Sequence, residues 1–363
     1  MALERLTVLV GPNACGKTSV LKGAEILCEL RGVSADGPGR ESFVRRAFGG
    51  NREAVEYISR PGANHARVAV WNDPERSTFV QVSPRTDVPW AAIQIVSDFG
   101  HITEWDSRRS EKATAEKLAR FAPGPALLLN FDAEHLAAPT PAAGDIPRVS
   151  SNGAGLSTVI ATLAARRDDT LDRIVVDLAQ VVPGVEDLRV LPTTITVHEE
   201  EPVRIQDQVL PYRSARTLGG WRFELKMRGV GWIPAHQLSE GTLLTLGLLT
   251  TLHSPQRPSV LLLDDIDRAL HPLAQKELIT ALRRILEEHP TLQVIATSHS
   301  PYLLDHFEPE EVRVMRLDDT GGALCRKLTE HPDWPKWADT MTPGEFWSSV
   351  GEAWITGEAP EDD

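Results

Sequence analysis

Residues 11 to 18 read Gly-Pro-Asn-Ala-Cys-Gly-Lys-Thr, directly behind the apolar run Leu6-Thr7-Val8-Leu9-Val10 and ahead of helix-like Ser19-Val20-Leu21-Lys22. A strand, a loop with a glycine at each end and a helix opening on Lys-Thr leave few folds available, because such a loop wraps an anion. Gly11 and Gly16 let the backbone curl so that its N–H groups converge on phosphate oxygens, and the helix start near Lys17 aims its positive end the same way. The expected cradle is Gly11, Pro12, Asn13, Ala14, Cys15, Gly16, Lys17, Thr18 and Ser19. Within it Lys17 supplies a mobile charge for the β- and γ-phosphates, and the Thr18 hydroxyl suits magnesium, which takes oxygen ligands. The expected ligand is a nucleoside triphosphate with Mg²⁺.

From residue 238 onward the pattern alternates helix and strand. Leu243 to Leu252 reads as an apolar helix, Ser259 to Leu263 as a buried strand, Leu273 to Glu288 as an amphipathic helix and Leu292 to Ala296 as a second buried strand. All-apolar strands separated by helices imply a parallel sheet covered on both faces, and so an α/β fold. Its first strand stands at the start of the chain, so the stretch from about 40 to 230 is an insert in a discontinuous core of residues 1–30 and 230–305. Inside the insert, Val68–Trp71, Thr78–Val82 and Ala92–Val96 are short strands bounded by Pro, Asn or Asp, which predicts an antiparallel patch. Residues 107–121 have helical composition, Ala126–Leu129 reads as a returning buried strand, and Ala137–Gly155 as a loop. Helices are expected over Leu156–Ala165 and Leu171–Val181, and strands around Ile195, Val197, Val203, Ile205 and Trp221–Leu225.

Composition narrows the partners. The formal net charge of −13 opposes non-specific attraction to nucleic acid, although Arg45-Arg46, Arg108-Arg109, Arg166-Arg167 and Arg283-Arg284 leave room for a local basic stripe. No apolar stretch reaches the eighteen or so residues that cross a bilayer, and the amino end runs straight into the first strand, so no membrane partner and a cytoplasmic location are expected. The cysteines, Cys15, Cys28 and Cys325, lie far apart and predict neither a disulfide framework nor a zinc site. Cys15 is either a small residue that fits the loop or an oxidisable thiol within it.

Three further motifs decide the class of nucleotide site. Leu238-Ser239-Glu240-Gly241-Thr242 opens the apolar helix with a serine N-cap, Leu261-Leu262-Leu263-Asp264-Asp265 ends a buried strand on two carboxylates, and Ala296-Thr297-Ser298-His299-Ser300-Pro301 ends the next with a histidine. In this order the set resembles the ABC-type ATPases of the SMC and RecF class, and within them the stand-alone AAA-type relatives of the ATPase domain of the OLD nucleases. The resemblance covers residues 1 to about 30 and 230 to 305 motif by motif, and Leu129 to Leu163 more loosely. It implies a P-loop NTPase head with a mixed sheet, an antiparallel β patch and a helical insert. It also implies that ATP and Mg²⁺ are the cofactors, that Asp264 orients the magnesium with Thr18, and that His299 senses the γ-phosphate.

Ser239 and Gly241 would face the γ-phosphate held by a second copy, giving a homodimer around two ATP molecules or a higher oligomer. The resemblance further implies ATP hydrolysis, expected to be slow because of the departure at Asp265, and control of a separately encoded protein effector, in bacterial defence against phage or in DNA surveillance. An ATP-bound scaffold for a toxin or nuclease, and a RecF-like DNA-repair ATPase, stand as alternatives.

The sequence departs from the family pattern at Asp265, where a catalytic glutamate is usual. A side chain one methylene shorter reaches about 1 Å less far, and a misplacement of that size costs on the order of a hundredfold in rate; the alternatives are a compensating backbone or a second water. Asn130 or Asp132 occupies the place of the usual glutamine. OLD nucleases continue into a metal-binding Toprim domain, but residues 302–363 carry no suitable acidic cluster, so no nuclease is expected in this chain. Residues 306–363 read instead as a Trp-rich extension, with Trp334, Trp337, Phe346, Trp347 and Trp354 either docking a partner or packing on the body.

Overall fold

The computed structural model describes residues 3–29, 66–73, 76–84, 91–97, 102–105, 125–142, 147–166, 168–205 and 208–356. In chain order its elements are β1 (Leu6–Val10), α1 (Lys17–Glu29), β2 (Ala66–Asp73), β3 (Arg76–Pro84), β4 (Ala91–Ser97), β5 (Ile102–Trp105) and β6 (Ala126–Leu129). There follow α2 (Ala133–Ala137), β7 (Thr140–Pro141), α3 (Leu156–Arg166), α4 (Thr170–Val181), β8 (Val185–Ile205), β9 (Gln208–Met227) and β10 (Gly231–Pro234). The last part comprises α5 (Glu240–His253), β11 (Val260–Leu263), α6 (Pro272–Glu288), β12 (Gln293–Thr297), α7 (Pro301–Leu304), β13 (Val312–Leu317), β14 (Ala323–Lys327), α8 (Trp334–Trp337) and α9 (Pro343–Val350). The chain divides into two compact units, one of Met1–Leu128, Pro258–Ile266 and His289–Asp363, the other of Leu129–Arg257 and Asp267–Glu288.

The first unit is built on a sheet of order β14-β13-β1-β12-β11-β6. β1 runs parallel to both of its neighbours, β12 and β13, and β11 runs parallel to β12, whereas β14 is antiparallel to β13. Every residue of β1 and of β11 is buried, which is why both read as unbroken apolar runs rather than alternating ones. The stretch after 305 supplies β13 directly beside β1. Its strand character is hidden in the sequence by Arg313, which is 1% exposed and donates hydrogen bonds to the carbonyls of Glu310 and Val312. Beyond it His331 meets Phe346 and Trp354 edge-on at 5.1 and 5.0 Å, and Trp334 packs on Phe346. Trp334 is therefore buried in the body, while Trp337 stays 47% exposed. A separate antiparallel sheet, β2-β3-β4-β5, matches the expected patch and adds β5 to it. Residues 107–121, Arg45-Arg46 and Arg108-Arg109 lie outside the described residues.

The second unit holds α2 to α6 and the sheet β10-β9-β7 with β8 on β9. Helices α3 and α4 form where the periodicity places them, and Arg166 there pairs with Asp168 at 2.7 Å. β8 and β9 form one antiparallel ribbon, paired from Val185↔Met227 to Ile205↔Gln208 with a register shift between Val185 and Asp187, far longer than the alternation predicts. Over 193–197 its residues alternate half-buried and exposed, as Ile195 and Val197 predict, whereas over 215–219 all but Leu218 are exposed and no buried face imposes a period of two on the sequence. α5 begins on Ser239, whose side chain accepts a hydrogen bond from the Thr242 N–H, and it is buried nearly all round. A buried carboxylate, Asp177 of α4, receives His253 Nε2 of α5 at 2.8 Å and the guanidinium of Arg284 of α6, tying three helices together.

Candidate functional site

The loop after β1 closes over Lys17. Gly11 and Gly16 both lie at positive φ, 145° and 97°, as the sequence requires, and Ala14 joins them at 62°. Gly11 has a second reason to be glycine, since a Cβ there would sit 2.2 Å from the Met315 carbonyl oxygen of β13. Lys17 is only 7% exposed. Its Nζ donates to the carbonyls of Gly11 and Pro12, each at 2.9 Å, and lies 3.9 Å from Cys15 Sγ. These partners are neutral. An ammonium taken out of water without a counter-ion is costly, so the arrangement fits a site completed by an anion.

The acidic end of β11 and the loop after β12 meet this cradle within the same unit. The Thr18 hydroxyl donates to the Asp264 carboxylate, at 3.0 Å from Oδ2 and 3.2 Å from Oδ1. The Thr297 hydroxyl donates to Asp264 Oδ1 at 2.7 Å and accepts the Asp265 N–H at 2.8 Å. Asp265 itself is non-glycine at φ 53°, and its Oδ1 lies 3.9 Å from His299 Nε2. Both side chains are about half exposed, at 52% for Asp265 and 42% for His299, and open to a ligand. A threonine hydroxyl next to a carboxylate is the oxygen set suited to magnesium. Among the described residues no group of three or more His, Cys, Asp or Glu forms a metal cage, in keeping with a metal that takes one or two protein ligands and fills its shell from phosphates and water.

A family model described as "AAA domain, putative AbiEii toxin, Type IV TA system" matches residues 6–305. The chain belongs to this family. Septu protein PtuA of Bacillus thuringiensis is 32% identical to this AAA-domain chain over 69 residues, which is 19% of the chain and 17% of that protein. The match thus spans about a sixth of the curated relative's length. Among solved structures, the Smc head domain with an extended coiled coil from Pyrococcus furiosus, bound there to the C-terminal domain of ScpA, aligns with a TM-score of 0.51. That alignment covers 94% of this chain and 95% of the Smc chain at 11% identity. The likeness is one of fold: this AAA-domain chain has an α/β P-loop fold like that of SMC heads.

Ser239 and Gly241 lie in the second unit. Ser239 is exposed, its Oγ 2.7 Å from Thr242 Oγ1, and so holds an accessible helix N-terminus. Gly241 is buried, and a Cβ on it would stand 2.4 Å from the Ala269 carbonyl oxygen. In the same unit Glu240 pairs with Arg268 at 2.5 Å. Of the two candidates for the usual glutamine, Asn130 is exposed and Asp132 is the N-cap of α2. The His135 side chain, then the His135 N–H, hold the Asp132 carboxyl below its ordinary value.

Thr297 is the residue that motif order alone passes over. It is fully buried, yet its hydroxyl reaches the Asp264 carboxylate and the Asp265 backbone N–H. A polar β-branched residue closing the apolar run Val294-Ile295-Ala296, two places before His299, was the available signal. The cysteines are also closer than their spacing implies: Cys15 and Cys28 are buried in one apolar cluster, and Cys325 packs against it. Burial pushes the Cys325 thiol up to about 11.

Proposed function

We propose that this protein is a magnesium-dependent ATPase that works as a switch, closing as a homodimer around two ATP molecules and hydrolysing them slowly. The observation that carries this reading is Lys17, a buried ammonium with neutral partners at the end of a loop whose backbone turns inward. Lys17 would leave the Gly11 and Pro12 carbonyls for the β- and γ-phosphates, while Thr18 and Asp264 would hold the magnesium. The metal would supply positive charge to the phosphate oxygens as the bond to the γ-phosphate breaks. Asp265 would orient or deprotonate the attacking water, and His299, whose Nε2 stands 3.9 Å from the Asp265 carboxylate, would donate to the γ-phosphate. Ser239, at the start of α5, would offer its helix N-terminus to the γ-phosphate bound by the second copy.

The reading includes a role in anti-phage defence, exerted through a separately encoded protein effector in the cytoplasm; the short match to the Septu protein supports the defence part of it. Steady-state hydrolysis and light scattering of the purified chain with a non-cleavable ATP analogue test the reading together. ATP turnover and nucleotide-dependent dimerisation, both lost in Lys17→Ala, are the expected outcome. Monomers with the analogue bound, or turnover indifferent to Lys17, would refute it. A second reading, an ATP-bound scaffold that seldom turns over, is favoured by Asp265 in the place of the usual glutamate, and predicts Lys17-dependent dimers without phosphate release.

A further inference from the structure

We infer that Thr297 is a positioning residue of the nucleotide site, which sets the magnesium carboxylate Asp264 and turns the backbone of Asp265 so that a short carboxylate serves there. The inference rests on the ATPase reading above. Thr297 ends β12, which lies between β1 and β11, so it stands between the phosphate loop and the acidic strand on one sheet edge. It is wholly buried, and its contacts run to three consecutive residues: its hydroxyl donates to the Asp264 carboxylate and accepts the Asp265 N–H, and its carbonyl accepts the Ile266 N–H at 3.0 Å. The hydroxyl's donor is thus spent on one aspartate and an acceptor site on the next. The following residue is strapped to the other side, with the Ser298 N–H on the Leu9 carbonyl of β1 at 3.1 Å.

Asp265 at φ 53° sits in the left-handed region, where Asp and Asn are the side chains tolerated best after glycine because they are short and polar. A strained backbone persists where its surroundings over-determine it, and here the N–H groups of Asp265 and Ile266 are both fixed by Thr297. Residue identity and backbone therefore go together. The left-handed turn redirects the Cβ, and an aspartate on that turn is matched to the site in a way that a glutamate is not. Holding Asp264 is the second consequence: with Thr297 on Oδ1, the carboxylate presents itself to Thr18 in one orientation.

Thr297→Val keeps the shape and deletes the hydroxyl, whereas Thr297→Ser keeps the hydroxyl. Binding of a fluorescent non-cleavable ATP analogue is measured first in EDTA and then across a magnesium titration, alongside turnover of ATP. Hydrogen bonds to charged groups are worth enough to change an equilibrium about tenfold or more. In Thr297→Val the magnesium concentration for half-saturation should rise about tenfold and turnover fall about tenfold, with magnesium-free binding changed by less than about threefold. Thr297→Ser should stay within about threefold of the parent on every measure.

A Val variant indistinguishable from the parent, or Ser and Val variants equally impaired, overturns the inference. Should Thr297→Val fail to fold, Asp265→Glu provides the check: turnover falls severalfold if the turned backbone is matched to the shorter side chain, and a rate equal to or above the parent's overturns the match. A parent protein that binds the analogue independently of Lys17 defeats the ATPase reading instead, which separates the two failures.

Discussion

Lys17 and Asp177 are both charged side chains nearly excluded from solvent, at 7% and 2% exposure, and the fold treats them in opposite ways. Asp177 is answered on both oxygens, by His253 and by Arg284, and ties α4, α5 and α6. Among the described residues Lys17 is answered by carbonyls and a thiol alone. A buried charge with its partners in place is a structural joint, since removing one partner strands another. A buried charge left with neutral partners holds free energy that a ligand of opposite sign releases. Asp177 thus spends its charge on rigidity, whereas Lys17, which stands at the phosphate loop, keeps its own in reserve for phosphate.

The largest expected effect tests the joint. Asp177→Ala strands Arg284 and His253; because Arg284 is 41% exposed and regains water, the loss should be about 2–3 kcal/mol rather than the full cost of breaking a buried pair. Urea unfolding followed by circular dichroism reads it, and a midpoint unchanged from the parent would make the pair decorative. Burial pushes the Asp177 carboxyl up, but hydrogen bonds from His253 and Arg284 outweigh it and hold the group below its ordinary value. A carboxylate with a depressed folded value stabilises fully above its unfolded value, about 4, and that stability drains away as pH falls through the folded value. The parent should therefore lose stability below about pH 4 in a way that Asp177→Ala does not. Lys17→Met, by contrast, should leave unfolding without nucleotide within about 1 kcal/mol of the parent, or raise it, while abolishing the stabilisation by ATP, about 2.7 kcal/mol at a hundred times Kd.

How much was legible follows the same division. Wherever both faces of an element are buried, as in β1, β11 and most of β12, the sequence is predominantly apolar and the strand can be read directly. Wherever a motif needs a fixed residue type for its chemistry, as at Lys17, Thr18, Asp264 and His299, order along the chain brings out the site before any geometry. Legibility fails where the cause lies in distant partners. β13 is broken up by Arg313, which makes sense only once its carbonyl partners are placed. The left-handed Asp265 looks like a defective glutamate until Thr297, from the neighbouring strand, is found to fix its N–H. The β8–β9 ribbon runs to Ile205↔Gln208 on backbone pairing, which leaves no mark on residue type, so its length is not legible in the sequence.

A third buried titratable group sharpens the contrast by a smaller amount. Burial pushes the His331 imidazole down, with Asp333 opposing, and its Nδ1 accepts the Asp333 N–H at 3.0 Å, as only a neutral ring can. A histidine with a depressed folded value stabilises above its unfolded value, about 6.5, and the contribution is lost as pH falls below that through the folded value. Tryptophan fluorescence from the ring cluster of Trp334 and Trp354 should accordingly change as pH falls below about 6.5 in the parent and not in His331→Gln. An identical change in both proteins would place the titrating group elsewhere. His331 thus occupies a middle position between the two charges, buried and neutral, tolerated because it gives up its proton.

The smallest effect concerns the thiol beside Lys17. Cys15 Sγ stands 3.9 Å from the Lys17 ammonium, beyond a strong hydrogen bond, and sulfur is a weak acceptor. If the two backbone carbonyls carry Lys17, Cys15→Ala should change ATP affinity by less than about threefold and cost about 1 kcal/mol or less of stability, the price of a small void in an apolar cluster. Affinity measured with and without a mild oxidant then decides between the two roles the sequence left open for this residue. An oxidant that weakens binding to the parent but not to Cys15→Ala identifies a working thiol, and equal affinity in all four conditions identifies a residue chosen for its size. The second outcome is expected, because Cys15 is 2% exposed, packed among Leu9, Leu21 and Met315, and screened from a peroxide by the same loop that hides Lys17.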